Sequence, residues 1–60
     1  MDETVLGRIA YEAYCKHTNW KSLATGQDLP QWDGLKPEIR EAWIASAKEL
    51  RAAIAAAVLT

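Results

Sequence analysis

The sequence predicts an all-α protein, a two-helix hairpin with a long structured connection that contains tryptophans. Apolar residues recur at helical spacing in two stretches, about residues 3–17 and about residues 37–58. Between them, about residues 18–36 hold Gly26, Pro30 and Gly34, which are typical of turns. We therefore expect one small helical domain, 1–60.

The first helix is expected over about residues 3–17. Asp2 or Thr4 can cap its start, because either side chain can accept a hydrogen bond from an amide of the first turn. Gly7 either lets another element approach closely or lets the first turn fray. The expected apolar stripe consists of Val5, Ile9, Ala13 and His17, widened by Leu6, Ala10 and Tyr14.

The connection of about residues 18–36 is long for a compact domain, which predicts that it packs as a structured cover. Thr18 and Asn19 offer a new helix cap, so a short helical turn is expected at residues 19–23. Two hypotheses for Trp20 and Trp32 stay open. They close the open end of a two-helix core, or they line a ligand pocket.

The second helix is expected from Pro37, which suits the first helical position. Its stripe is Ile39, Trp43, Ala47, Leu50, Ile54 and Ala57 or Val58, and Ile44 lies off it. Past Arg51 every residue through Leu59 is apolar. A helix that is apolar all round is normally buried, and two helices cannot surround it. We therefore expect a homo-oligomer or a partner protein, contacted through Leu50, Ile54, Val58 and Leu59.

Charge and hydropathy exclude several partners. The net charge is −1, with seven basic and eight acidic residues mixed along the chain, so nucleic-acid binding is not expected. The longest apolar run, residues 52–59, is far shorter than the roughly 20 residues that span a membrane. The acidic N-terminus does not resemble a signal peptide, and the single cysteine agrees with a reducing compartment. These features predict a cytoplasmic protein.

The residues available for catalysis are few. Cys15 and His17 are the only cysteine and histidine, too few for a zinc site of about four ligands. The chain has neither a nucleophile motif, nor paired carboxylates, nor a phosphate loop. We expect no enzyme activity, no catalytic residue, no metal and no cofactor.

A binding site is more plausible, because tyrosine and tryptophan combine a stacking face with a polar group. Basic residues near them in sequence could pair with phosphates or carboxylates. The alternative is that most of these aromatic residues form the core. The residues predicted to bind a ligand are Arg8, Tyr11, Glu12, Trp20, Lys21, Trp32 and Arg40.

Three segments carry a resemblance to known families. They are Arg8–Cys15, then Leu29, Pro30, Trp32 and Leu35, and finally Ile39, Arg40, Ala42, Trp43, Ser46 and Ala47. Together they resemble very short, uncharacterised helical proteins encoded by bacteriophages and prophages. More distantly, Tyr11-Glu12 and the segment from Pro30 to Pro37 resemble the ryanodine-receptor-type repeat domain, although no histidine precedes Glu12.

The resemblance implies a phage accessory protein that acts by stoichiometric binding in the host cytoplasm. The leading hypothesis is a homo-oligomer that sequesters a small nucleotide signal of host immunity. One alternative is an inhibitor that docks on a host defence enzyme through an exposed aromatic patch. Another is a structural or regulatory helical module without a small ligand.

Overall fold

The computed structural model describes the backbone of residues 2–59 and the side chains of residues 2–58. Its elements are α1 (Glu3–His17), one turn of 3₁₀ helix (Trp32–Gly34) and α2 (Pro37–Leu59). The helices pack against each other with opposite directions, since Gly7 meets Ile44 and Glu3 approaches Arg51. The predicted all-α hairpin is confirmed.

The start of α1 is capped by Asp2, whose carboxylate accepts a hydrogen bond from the Val5 amide at 3.0 Å. Glu3 in the first turn and Lys16 and His17 in the last turn match the helix dipole. The helix ends at His17, and the amide of Thr18, its C-terminal cap, donates to carbonyls of the last turn.

The short helical turn expected at residues 19–23 is wrong. Asn19 and Trp20 have φ angles of 57° and 59°, in the left-handed region, which cannot continue a right-handed helix. The chain then folds back on itself. Lys21 and Asp28 form an isolated antiparallel bridge, and the Leu29 amide donates to the Trp20 carbonyl at 2.8 Å.

Gly7 is the point of closest approach between the helices. A Cβ atom added to it would lie 2.8 Å from Ile44 Cγ1 and 2.9 Å from the Ile44 Cα and backbone nitrogen. Of the two explanations for this glycine, the structure therefore shows close approach. It also explains why Ile44 lies off the expected stripe of α2, because Ile44 packs where α1 has no side chain.

The buried face of α1 differs from the expected stripe. Gly7, Tyr11 and Cys15 are buried, whereas Val5 and Ile9 are 42% and 49% exposed. Gly7 faces α2 where the helices cross, and Tyr11 and Cys15, one and two turns later, lie on the same face of α1. The stripe centred on Val5 and Ile9 was therefore placed on the wrong side of the helix.

The core lies at the loop end of the hairpin. Its buried cluster is Tyr11, Cys15, Trp32 and Leu35, flanked by half-buried Tyr14, Trp20, Leu29, Trp43 and Ile44. Tyr11 is central, with ring centroids of Trp20, Trp32 and Trp43 at 6.3, 5.9 and 5.5 Å. The connection thus forms a cover over this end.

The far end of α2 is uncovered. Arg51 lies 4.0 Å from Glu3, the first residue of α1, and residues 52–58 are all exposed. These residues form about two helical turns beyond the start of α1. Neither helix, within the described residues, is long and apolar enough to cross a membrane.

Candidate functional site: two grooves beside the helix pair

The two aromatic residues most central to the predicted ligand site lie in the core. Tyr11 is 2% exposed and Trp32 is 6% exposed. The Tyr11 hydroxyl donates a hydrogen bond to the Pro30 carbonyl at 2.6 Å, which ties α1 to the connection. Other residues of the chain therefore cover almost the whole surface of both rings. Trp20 is half-buried beside Tyr11.

The charged residues predicted for the same site form three separate interactions within the chain. Arg8 and Glu12 pair at 3.1 Å, one turn apart on α1. Lys21 pairs with Asp28 in the connection. The Arg40 guanidinium donates to the Leu35 carbonyl, just before the start of α2. The structure therefore holds these side chains in local contacts and does not gather them around one pocket.

Burial raises the pKa of the Tyr11 hydroxyl well above its ordinary value, and the neighbouring Cys15 side chain adds to the effect. The hydroxyl therefore stays neutral further into the alkaline range than an ordinary tyrosine, and in this neutral form it is the donor to Pro30. Cys15 is fully buried. Residues 2–58 contain no group of three or more His, Cys, Asp or Glu side chains that could hold a metal ion.

An aromatic groove of about 460 Å³ lies between the connection and the helices at the loop end. The rings of Tyr14 and Trp43 lie 5.4 Å apart with 43° between their planes. Lys36 supplies a positive charge, and neither it nor those rings were in the predicted site. The aromatic groove is lined by Tyr11, Tyr14, Leu29, Pro30, Gly34, Leu35, Lys36, Ile39 and Trp43.

An aliphatic groove of about 330 Å³ lies between the first half of α1 and the middle of α2. Leu50 and Ile54, both predicted contact residues, are 62% and 56% exposed in it. Val58, one turn beyond Ile54, is 79% exposed. The Leu59 side chain lies outside the described residues. The aliphatic groove is lined by Leu6, Ile9, Ala10, Ala47, Leu50, Arg51 and Ile54.

The sequence pattern does not predict the α1 side of the aliphatic groove. Leu6 and Ile9 were assigned to the face that packs on α2, whereas Ile9 is half exposed. The signal that could have found them is Gly7. Once this glycine marks the crossing point, Leu6, Ile9 and Ala10 fall beside the contact and not within it.

Comparison with known proteins adds no family assignment. No protein-family model matches the chain, and no curated protein or solved structure matches it significantly. The resemblance to phage-encoded proteins and to the ryanodine-receptor-type repeat domain stays a prediction. The function is therefore argued from the two grooves.

Proposed function

We propose that the protein is a small, non-enzymatic binding module that works by stoichiometric association through its aliphatic surface. This surface consists of the aliphatic groove and Val58. The observation that supports it is the exposure of four large aliphatic side chains, those of Ile9, Leu50, Ile54 and Val58, at 49–79%. Together they expose on the order of 400 Å², the size of the largest apolar patch on a typical monomer, which is often functional.

The setting we propose is that of a bacteriophage accessory protein in the host cytoplasm. The support for it is the resemblance of residues 8–47 to phage-encoded proteins. Stoichiometric binding of a target suits a chain of 60 residues, which has little room for a catalytic site. The association partner is a second copy of the chain or a host protein.

The test compares two aspartate variants. Leu50→Asp places a charge in the aliphatic groove, and Leu23→Asp places one at a 78% exposed position in the connection. Light scattering and affinity capture from host lysate should show association at a fixed molar ratio for the parent chain. Leu50→Asp should abolish it and Leu23→Asp should leave it unchanged. Equal association by both variants would contradict the proposal.

A second candidate function is supported by the aromatic groove. Its volume of about 460 Å³ falls within the range of small-molecule sites, about 300–1,000 Å³. The half-buried rings of Tyr14 and Trp43 offer stacking faces, and Lys36 offers a charge for a phosphate. This candidate is binding of a small nucleotide, such as a signal of host immunity.

Calorimetric titration with cyclic and linear nucleotides tests the second candidate. We expect binding heat that Lys36→Gln reduces and that Lys48→Gln, on the exposed surface of α2, leaves unchanged. No heat with any nucleotide would exclude it and leave a structural or regulatory module without a small ligand.

Inhibition of a host defence enzyme is compatible with the first proposal, with one change of surface. All five aromatic residues are buried or half-buried. An inhibitor of this fold would therefore dock through the exposed aliphatic side chains and not through an aromatic patch.

A further inference from the structure

One apolar stripe of α2 continues past the aliphatic groove. Ala47, Leu50, Ile54 and Val58 follow at spacings of three and four residues, so they share one face of the helix. The first three line the groove together with α1, whereas Val58 lies beyond the start of α1. The same stripe thus forms the wall of a groove at one end and a projecting ridge at the other.

We propose that the occupant of the aliphatic groove is the C-terminal end of α2 from a second copy of the chain. This inference rests on the proposed function and specifies its partner. Two copies related by a two-fold axis would each place a projecting ridge in the groove of the other. A two-fold interface requires one patch that is complementary to itself, and a groove that continues into its own ridge meets this requirement. In each copy, the end of α2 from the partner then becomes a third helix beside α1 and α2, and the two α2 helices run antiparallel.

The register follows from the spacing of the stripe. With antiparallel α2 helices, Leu50 of one copy lies opposite Ile54 of the other, and Ala47 lies opposite Val58. Ala47 is 7% exposed and small, so it forms the recessed part of the stripe, whereas Val58 is 79% exposed. Pairing a small residue with a large one lets the two surfaces interdigitate.

The distribution of charge on α2 favours the same register. Its last charged residues are Lys48, Glu49 and Arg51, and none follows through residue 60. In the antiparallel register these residues flank the uncharged segment 53–57 of the other copy. In a parallel pairing Lys48 and Glu49 would each flank an identical charge, which is unfavourable. The Arg51–Glu3 pair would then lie at the polar rim of the interface.

The exposed apolar area is of the order that a small, dissociable dimer interface buries. The four large aliphatic side chains supply about half of the roughly 800 Å² that a standard interface buries on each partner. The exposed alanines of residues 52–56 and the α1 side of the groove add to this area.

The first measurement is native mass spectrometry over a range of concentrations, supported by light scattering. We expect a species of twice 6.7 kDa that dissociates on dilution. Leu50→Asp should weaken the dimer at least tenfold, and circular dichroism should show that this variant keeps its helices. A chain that stays at 6.7 kDa at millimolar concentration overturns the inference.

Cysteine cross-linking tests the register. Leu50→Cys and Ile54→Cys chains, one labelled with heavy nitrogen, are mixed and mildly oxidised. Native Cys15 is fully buried and serves as an unreactive background. The antiparallel register predicts that the mixed disulfide forms several-fold more than either self-paired one, because a disulfide needs Cα atoms within about 7 Å. Leu23→Cys, outside the groove, should not cross-link to either variant.

The outcomes separate this inference from the proposed function. Predominant self-paired disulfides overturn the antiparallel register. A monomeric chain that still captures a host protein, with capture lost in Leu50→Asp, overturns the dimer but leaves the binding module standing. If the chain is monomeric and shows no capture of a host protein that Leu50→Asp abolishes, both the dimer and the binding module are overturned.

Discussion

The two ends of the hairpin are both rich in apolar residues, yet only one end is buried. At the loop end, Tyr11, Trp32 and Leu35 are at most 8% exposed. At the far end, Leu50, Ile54 and Val58 are 56–79% exposed. The difference lies in the connection, which covers the loop end as a third element and has no counterpart at the far end.

This comparison leads to the hypothesis that folding depends on the loop end and that the proposed association depends on the far end. A helix pair alone leaves much of each apolar face open, so burial requires a further element. The chain supplies that element at the loop end, with Trp32 as its main side chain. At the far end we infer that another molecule supplies it. Substitutions at the loop end should therefore change stability, and those at the far end should change association.

The largest expected effect is that of Trp32→Ala. Removing a large buried aromatic side chain costs about 3–5 kcal/mol, whereas a domain of this size has a total stability of about 3–9 kcal/mol. We expect most of the helical circular dichroism signal to be lost at 37 °C, or the urea midpoint to fall sharply.

The matched variant at the far end is Val58→Ala, at a 79% exposed position. At a concentration where the chain is monomeric, we expect a change of less than about 0.5 kcal/mol in the free energy of unfolding. If both variants lost similar stability, the far end would contribute to the fold of the monomer and the comparison would fail.

The next largest effect is expected for Gly7→Ala. The added Cβ would lie 2.9 Å from the Ile44 backbone, which cannot rotate away as a side chain can. Overpacking of this kind costs about 1–3 kcal/mol, although alanine recovers up to about 1 kcal/mol of helix propensity. Urea denaturation should show a net loss of stability.

A double variant, Gly7→Ala with Ile44→Ala, sharpens this test. Removing the Ile44 side chain eliminates the contact at 2.8 Å but leaves the two backbone contacts at 2.9 Å. We therefore expect no recovery relative to Gly7→Ala alone. Full recovery would show that only the side chain limits the approach of the helices.

The two helices and their pairing are predictable from the sequence, because the apolar periodicity and the terminal residues of each helix are features of that segment alone. Asp2, Pro37 and the apolar spacing of α2 suffice for these elements. The face that α1 buries was not predictable from hydropathy, because the closest contact involves Gly7, which has no side chain. The left-handed backbone of Asn19 and Trp20 was not predictable either, since tryptophan rarely adopts it.

The candidate site was also predicted only in part, because some of its residues are identified by one helix alone and others only by how the elements pack. Leu50 was identified from the apolar stripe of α2 and Ile54 from the wholly apolar segment beyond Arg51, and both features are visible in one helix alone. The α1 wall of the aliphatic groove depends on how the helices cross. The placement of Trp32 in the core depends on how the connection folds back, which the hydrogen bond from Tyr11 to Pro30 fixes.

A smaller effect is expected for Tyr11→Phe, which leaves the Pro30 carbonyl without the hydrogen bond at 2.6 Å. Loss of such a partner costs about 1–2 kcal/mol near neutral pH. The matched control is Tyr14→Phe, at a half-buried position. The structure shows no intramolecular hydrogen bond of the Tyr14 hydroxyl within residues 2–58, so its loss should cost less. Urea denaturation at pH 7 measures the loss of stability in Tyr11→Phe and in Tyr14→Phe.

The raised pKa of Tyr11 also predicts that the protein loses stability in alkali. Its folded-state pKa is raised by burial, above the value of about 10 for an unfolded tyrosine. Its contribution to stability is therefore complete below about pH 10 and is lost as the pH rises further, by about 1.4 kcal/mol per unit. Urea denaturation at increasing pH should show a steeper decline for the parent chain than for Tyr11→Phe. Equal slopes would contradict the burial of a neutral hydroxyl.

The smallest effects are expected for the exposed ion pairs, of which Lys21–Asp28 lies at the loop end and Glu3–Arg51 lies at the far end. Exposed pairs contribute about 0–1 kcal/mol, because solvent screens them and their side chains lose freedom. Asp28→Asn and Arg51→Gln should therefore each change the urea midpoint only slightly. If Asp28→Asn instead reduced stability nearly as much as Trp32→Ala, the Lys21–Asp28 ion pair would be what keeps the connection packed over the loop end. The contrast between the ends would then reflect electrostatics and not the burial of aromatic side chains.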